Sequence, residues 1–272
     1  VCSSDLDNYV IVGAEDAKKA FIFTFNNGVW NTTAVVTIDG YTSNSKFGYT
    51  CSMTDNYAIV GAYGVNKAFI FAKTGAVWGA TAVATIDGYT GMSFFGQQVA
   101  ITDSHAVVCA MYAKKCFIFK NDGVWSTTAN ATIDGYTSHS YFGQSVGMND
   151  NYIIVGARDN RKAFIFEKSN GVWDTTAVAT IDGYTSENQF SHSVSITDNY
   201  AIIGAPAAAK AFIFEKSNGV WETTAVATID GYISDGYFGQ AVRITSTETY
   251  AIVGAHVAKK AFIFAKNNGV WG

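Results

Sequence analysis

Proline is almost absent: Pro206 is the only one in 272 residues, although there are 26 glycines. Charge is also scarce, at 15% of residues, where soluble domains usually carry about 25%. The balance of 18 basic against 22 acidic residues gives a net charge of −4. No basic surplus is available to follow a phosphate backbone, so nucleic acid is excluded as an expected partner. No apolar run approaches the roughly 20 residues a bilayer-spanning helix requires, so the chain is not expected to span a membrane. No charged segment followed by an apolar core opens the numbered chain, as a signal peptide would. Hydrophobic residues make up 49% and aromatics 15%, which excludes a disordered chain.

What is present is repetition. All six tryptophans fall in one motif, Gly-Val-Trp or its Ala-Val-Trp variant, at Trp30, Trp78, Trp125, Trp173, Trp221 and Trp271. Their successive separations are 48, 47, 48, 48 and 50 residues. Phe-Ile-Phe begins at Phe21, Phe69, Phe117, Phe164, Phe212 and Phe262, and a Tyr-Ala-Ile-Val-Gly-Ala phrase or close variant begins at Tyr9, Tyr57, His105, Tyr152, Tyr200 and Tyr250. The repeats span about 1–41, 42–89, 90–136, 137–184, 185–232 and 233–272, the first and last incomplete. Periods of this length mark propellers and related arrays.

In the fourth copy the runs at 142–148, 152–157, 162–167 and 171–181 are rich in Val, Ile, Phe, Tyr and Thr and bounded by Gly, Asn, Asp or Ser. This reads as four antiparallel strands joined by tight turns. Four strands in some 48 residues are the content of one propeller blade. The expected fold is all-β: a single propeller of six four-stranded blades, with seven blades as the alternative.

The order Phe-Gly-Gln-Ser-Val, Tyr-Ala-Ile-Val-Gly-Ala, Lys-Ala-Phe-Ile-Phe, Gly-Val-Trp, Thr-Ile-Asp-Gly-Tyr resembles the FG-GAP repeat, in its Trp-containing variant more than in its integrin form. The Phe-Gly pairs are Phe47-Gly48, Phe95-Gly96, Phe142-Gly143 and Phe238-Gly239, and one copy departs as Phe190-Ser191. The resemblance implies an extracellular or cell-surface propeller that mediates binding or assembly. Integrin-type repeats often hold calcium between the first two strands. Here those turns, such as Thr54-Asp55-Asn56 and Thr197-Asp198-Asn199, carry one acid each. Calcium takes six to eight oxygens, so no calcium or other cofactor is expected.

Catalysis needs unlike groups converging on one point, and near-identical repeats supply like ones. His105, His139, His192 and His256 occupy four different repeat positions and read as scattered substitutions, so no catalytic residue and no metal site is expected. The recurrent Lys19, Lys67, Lys115, Lys162, Lys210 and Lys260 precede the third strand, and Asp39, Asp87, Asp134, Asp182 and Asp230 close the fourth. They form either a polar recognition ring or local pairs worth roughly 0–1 kcal/mol each. The repeated Trp reads as core between blades, with sugar stacking as the alternative. Lys46, Phe94, Tyr141, Gln189 and Tyr237, just before the first-strand Phe, vary between copies and are the better recognition candidates.

Cys109 replaces the Gly of Val-Gly-Ala and Cys116 the Ala of Ala-Phe-Ile-Phe, both in the third copy. Facing each other across a hairpin, they are expected to form a disulfide, and Cys2 with Cys51 is a weaker second pair. Oxidised cysteines fit an extracellular compartment. Two glycosylation sequons start at Asn31 and Asn130, in the outer strand. The sixth copy stops after Gly272 without the Thr-Ile-Asp-Gly-Tyr segment. The sequence is then a fragment, or a further blade supplies the strand, or a neighbouring subunit donates it to the open edge. The resulting expectation is a non-enzymatic extracellular module of a surface or fibre-forming glycoprotein, its partners other protein subunits or glycans. A multivalent glycan-binding propeller is the alternative.

Overall fold

The computed structural model describes residues 8–40, 45–88, 94–135, 141–183, 189–231 and 236–272. The chain is an all-β, six-bladed β-propeller, and its helical content among the described residues is four three-residue 3₁₀ turns. It divides into two compact units, Val1–Asp134 with the first three blades and Gly135–Gly272 with the last three. Among the described residues no helix is long and apolar enough to cross a membrane.

The fourth blade shows the pattern. Its inner strand Phe142–Met148 pairs antiparallel with Tyr152–Ala157, which pairs with Lys162–Ser169. The outer chain is not the single strand expected at 171–181. Val172–Trp173 pairs with the far end of the third strand and Ala179–Asp182 with its near end. Between them the backbone N–H of Asp174 donates to Glu167 and that of Val178 to Ile165. Five outer residues, 174–178, thus pass two on the third strand, 166 and 167, and the excess loops out of the ladder.

Alternation along the strands sets the core. The Phe that opens each inner strand is buried and packs edge-on against the second Phe of the third strand: Phe95 on Phe119, Phe142 on Phe166, Phe190 on Phe214 and Phe238 on Phe264. Five of the six Trp are buried, and Trp78, Trp125, Trp221 and Trp271 each stand edge-on to a Tyr of the preceding repeat: Tyr9, Tyr57, Tyr152 and Tyr200. Trp is therefore structural core, held by aromatic contacts worth roughly 0.5–1.5 kcal/mol beyond burial. The Gly of Val-Gly-Ala is where neighbouring blades come closest. A Cβ on Gly61 would lie 2.0 Å from the carbonyl oxygen of Gly96, and one on Gly204 1.9 Å from that of Gly239.

In the third blade that position is Cys109, directly opposite Cys116 in the register. Their sulfurs lie 2.02 Å apart, a disulfide distance. Alkylation of denatured, unreduced protein is expected to leave both thiols unmodified and to yield one cross-linked 109–116 peptide. Two alkylated thiols would contradict the bond. The Cys2–Cys51 pairing involves Cys2, which lies outside the described residues.

Candidate functional site

Each inner strand opens with a four-residue turn whose first member sits at positive φ: Lys46, Phe94, Tyr141, Gln189 and Tyr237. The carbonyl of that residue accepts from the N–H three positions on, at Tyr49, Gln97, Gln144, His192 and Gln240. The turn brings a variable tip beside a second variable position. A third variable position is the residue after the second strand: Glu15, Tyr63, Met111, Arg158, Pro206 and His256. The chemistry that differs between blades is concentrated at these three places.

In the first unit they form two arrangements. Lys46 pairs with Glu15 at 2.6 Å, and that carboxylate raises the Lys46 ammonium pKa, first through the hydrogen bond and then through its charge. Tyr63 stands between Tyr49 (4.9 Å, edge-on) and Phe94 (5.2 Å, stacked), and Phe94 touches Tyr112 at 4.6 Å. Burial raises the Tyr63 hydroxyl pKa.

The second unit holds the departure from the repeat. In Phe-Gly pairs the Gly is at φ 85–90°, and a Cβ there would strike a backbone carbonyl of the preceding blade: 2.4 Å from Lys19 at Gly48, 2.2 Å from Lys67 at Gly96, 2.3 Å from Lys210 at Gly239. The fifth blade carries Ser191 at this position, at φ 67° and fully buried. The pairing of Phe with Ala that opens the inner strand elsewhere (Phe95 with Ala110, Phe238 with Ala255) is absent for Phe190, and this strand runs only Ser193–Ile196. The blade with the extra Cβ thus lacks the Phe pairing, while the positions of Ser191 and His192 are bulge residues outside the ladder in the other blades as well. Replacing Ser191 by Gly is expected to relieve a backbone conformation costing about 1–3 kcal/mol. A thermal melt should show a Tm several degrees higher, and a lower Tm would contradict this account.

His192 takes the place that Gln holds in three other blades. Its Nδ1 is buried without a partner, as are Ser191 Oγ and the Oε1 atoms of Gln144 and Gln240. Burial lowers the imidazole pKa below its ordinary 6.5, and the positive charge of Arg158 lowers it further. The ring is therefore neutral at pH 7 and able to accept a proton. Arg158 lies over the Tyr141 ring at 5.4 Å and meets Asp159 through Nε at 3.6 Å. The arrangement places a half-buried imidazole within the field of a cation.

The remaining candidates are placed as follows. Lys19, Lys67, Lys115, Lys162 and Lys210 each form an ion pair with the Asp directly opposite on the outer strand, while Lys260 has no such strand beside it among the described residues. Gln189 and Tyr237 are exposed, and Phe94 and Tyr141 half-buried. The sequon residues Asn31 and Asn130 are exposed, and their side chains bond to Thr24 and to the Lys120 backbone. His105 is buried against Ser104, and His139 lies outside the described residues. In the turns compared with calcium loops, Asp198 accepts from Asn149 and Asn151 of the adjacent blade. Among the described residues no three His, Cys, Asp or Glu are grouped to hold a metal. Sequence reading missed Arg158 and dismissed His192. Setting the six copies in register and reading the column after Val-Gly-Ala would have exposed the first.

No protein-family model matches the chain, and no curated protein is significantly similar to it. Solved propellers do match in structure. A candidate 6-phosphogluconolactonase of Bacteroides fragilis superposes with TM-score 0.72 at 13% identity, over 100% of this chain and 82% of that one. A second such candidate, of Bacteroides uniformis, gives 0.70 at 13%, over 97% and 79%. A catalytically inactive variant of virginiamycin B lyase from Staphylococcus aureus, with quinupristin, gives 0.67 at 11%, over 100% and 82%. At these identities the likeness carries the fold. The neighbours are described as a lactonase and a lyase and are not FG-GAP proteins. The expectation of a non-enzymatic extracellular module, with its glycan-binding alternative, is corrected accordingly. It rested on the FG-GAP resemblance and on uniformity between blades, and the fifth blade breaks that uniformity at Ser191 and His192.

Proposed function

We propose that the chain is a catalytic propeller that opens small anionic lactones, with His192 as general base and Arg158 as the anion-binding group. The observation that carries the reading is His192, standing where three other blades hold Gln, with its imidazole disfavoured as a cation first by burial and then by the Arg158 charge. The lactonase and lyase descriptions of the structural neighbours support the choice of an enzyme. The FG-GAP likeness contributes packing chemistry, since Phe-Gly and Val-Gly-Ala are where blades approach closely.

The step balances simply. Neutral His192 takes a proton from a water molecule as the water oxygen bonds to the lactone carbonyl carbon. The tetrahedral adduct collapses with cleavage of the ring C–O bond, and the departing alkoxide takes the proton back from the imidazolium. Arg158 binds a carboxylate or phosphate of the substrate through its Nη groups. A panel of aldonolactones with and without a phosphate, followed by acid release at constant pH, tests the reading. Opening of at least one anionic lactone well above the buffer rate is expected. A panel with no turnover, or with turnover equal for neutral and anionic members, would contradict it.

A further inference from the structure

An acidic or amide residue followed by Gly recurs in two environments. Asn27-Gly28, Asn170-Gly171, Asn218-Gly219 and Asn268-Gly269 form the turn between the third strand and the Val-Trp segment. Both residues lie at positive φ, 49–53° for Asn and 79–83° for Gly, the signature of a type I′ hairpin. All of them are exposed, and a Cβ on any of these glycines would meet nothing within 4 Å. Among the described residues no acceptor takes up the N–H groups of these glycines. The Asp-Gly pairs that close the outer strands, Asp39-Gly40, Asp87-Gly88, Asp182-Gly183 and Asp230-Gly231, are placed differently. Each Gly N–H there donates at 2.7 Å to a carbonyl just before the third strand: Lys18, Asn66, Arg161 and Ala209. A Cβ on those glycines would lie 2.6–2.9 Å from the Phe that opens the next inner strand. The same backbone nitrogen is open in one set and sequestered in the other.

An Asn side-chain amide followed by Gly cyclises readily, because no Cβ shields the attacking nitrogen. We propose that Asn27, Asn170, Asn218 and Asn268 are sites of spontaneous deamidation in the folded protein, and that the Asp-Gly pairs are protected from the matching isomerisation. The Gly nitrogen, its proton taken by hydroxide, bonds to Asn Cγ. The Cγ–Nδ2 bond breaks, and Nδ2 leaves as ammonia with a proton from water. Water then opens the five-membered imide at either carbonyl, giving aspartate or isoaspartate. Either product adds one negative charge to a chain of net charge −4. Isoaspartate also routes the backbone through the side-chain carbon, lengthening a two-residue turn that sets Lys168 opposite Trp173. In the Asp-Gly pairs the attack must first break a hydrogen bond and move a packed Phe, an opening step that the Asn-Gly turns do not need. The sites are independent of the His192 reading.

The test ages the whole 272-residue chain at mildly alkaline pH, both folded and in denaturant, beside the variant Asp182→Asn. That variant puts a side-chain amide where the following Gly N–H is held by Arg161. Asp182 is exposed, so the fold should be kept, and a melt is recorded alongside. Samples are digested at acidic pH, where the attack is slow, and each peptide is scored by mass spectrometry for the gain of amide-to-acid exchange and for isoaspartate. In the folded chain Asn170 is expected to convert at least about tenfold faster than the new amide at position 182, and in denaturant the two rates should converge. Asn170→Gly, which keeps a residue suited to positive φ, should lose the mass gain in that peptide alone. Equal rates at the two positions in the folded chain would overturn the proposal. So would a folded chain that keeps all four Asn amides while the denatured chain converts them.

Discussion

His192→Gln lowers kcat/KM for the opening of an anionic lactone by roughly 10²–10⁴-fold, the range that positioned general bases contribute. Gln is the residue that Gln97, Gln144 and Gln240 supply at the same place in other blades, so the fold has already accommodated it three times. The variant should therefore show unchanged circular dichroism and Tm, separating loss of chemistry from loss of structure. Gln cannot take a proton, and the loss belongs in kcat with little change in KM. Arg158→Gln should do the reverse, raising KM for anionic substrates more than for neutral ones. Full activity in His192→Gln would place the base elsewhere.

The second large effect concerns stability. Phe214→Ala removes a fully buried ring that packs edge-on against Phe190 at a centroid distance of 6.4 Å. Such truncations cost about 3–5 kcal/mol, and for a chain of this size that corresponds to a Tm lower by roughly 6–20 °C. Lys210→Ala breaks an ion pair whose Asp230 is largely exposed and should cost no more than about 1 kcal/mol. Paired thermal melts check the contrast. A Lys210 variant as damaging as the Phe214 variant would mean that the charge ladder, and not the aromatic one, holds the blades.

The blades were legible because their cause is local. Alternating Phe and Ile in Lys-Ala-Phe-Ile-Phe fixes strand and facing, and Gly, Asn and Asp mark the turns; the inner and second strands of the fourth blade fall at 142–148 and 152–157, as the pattern indicates. The break in the outer strand was not legible. Val172-Trp173 and Ala179–Asp182 carry the same β-forming character, and only the hydrogen bonds of Asp174 and Val178 show the bulge between them. The site was hidden for a different reason. Repetition makes consensus conspicuous and departures look like noise, so Ser191 and His192 read as drift. The consequence of Ser191 depends on a carbonyl of the preceding blade lying about 2.2–2.4 Å from where the Cβ would be in its sister copies, a contact between repeats that no single repeat reveals.

The most direct test is the pH dependence of kcat/KM in the wild-type chain and in Arg158→Gln. The imidazole must be neutral to act, so activity should rise with pH along a single acid limb and level off before neutrality. The limb should lie below the ordinary histidine value of 6.5 because burial and the Arg158 charge both disfavour the imidazolium. Removing the guanidinium takes away the second cause, and the limb should move upward toward 6.5. A limb that stays in place in Arg158→Gln, or a profile flat across this range, would contradict His192 as the base and Arg158 as its neighbour.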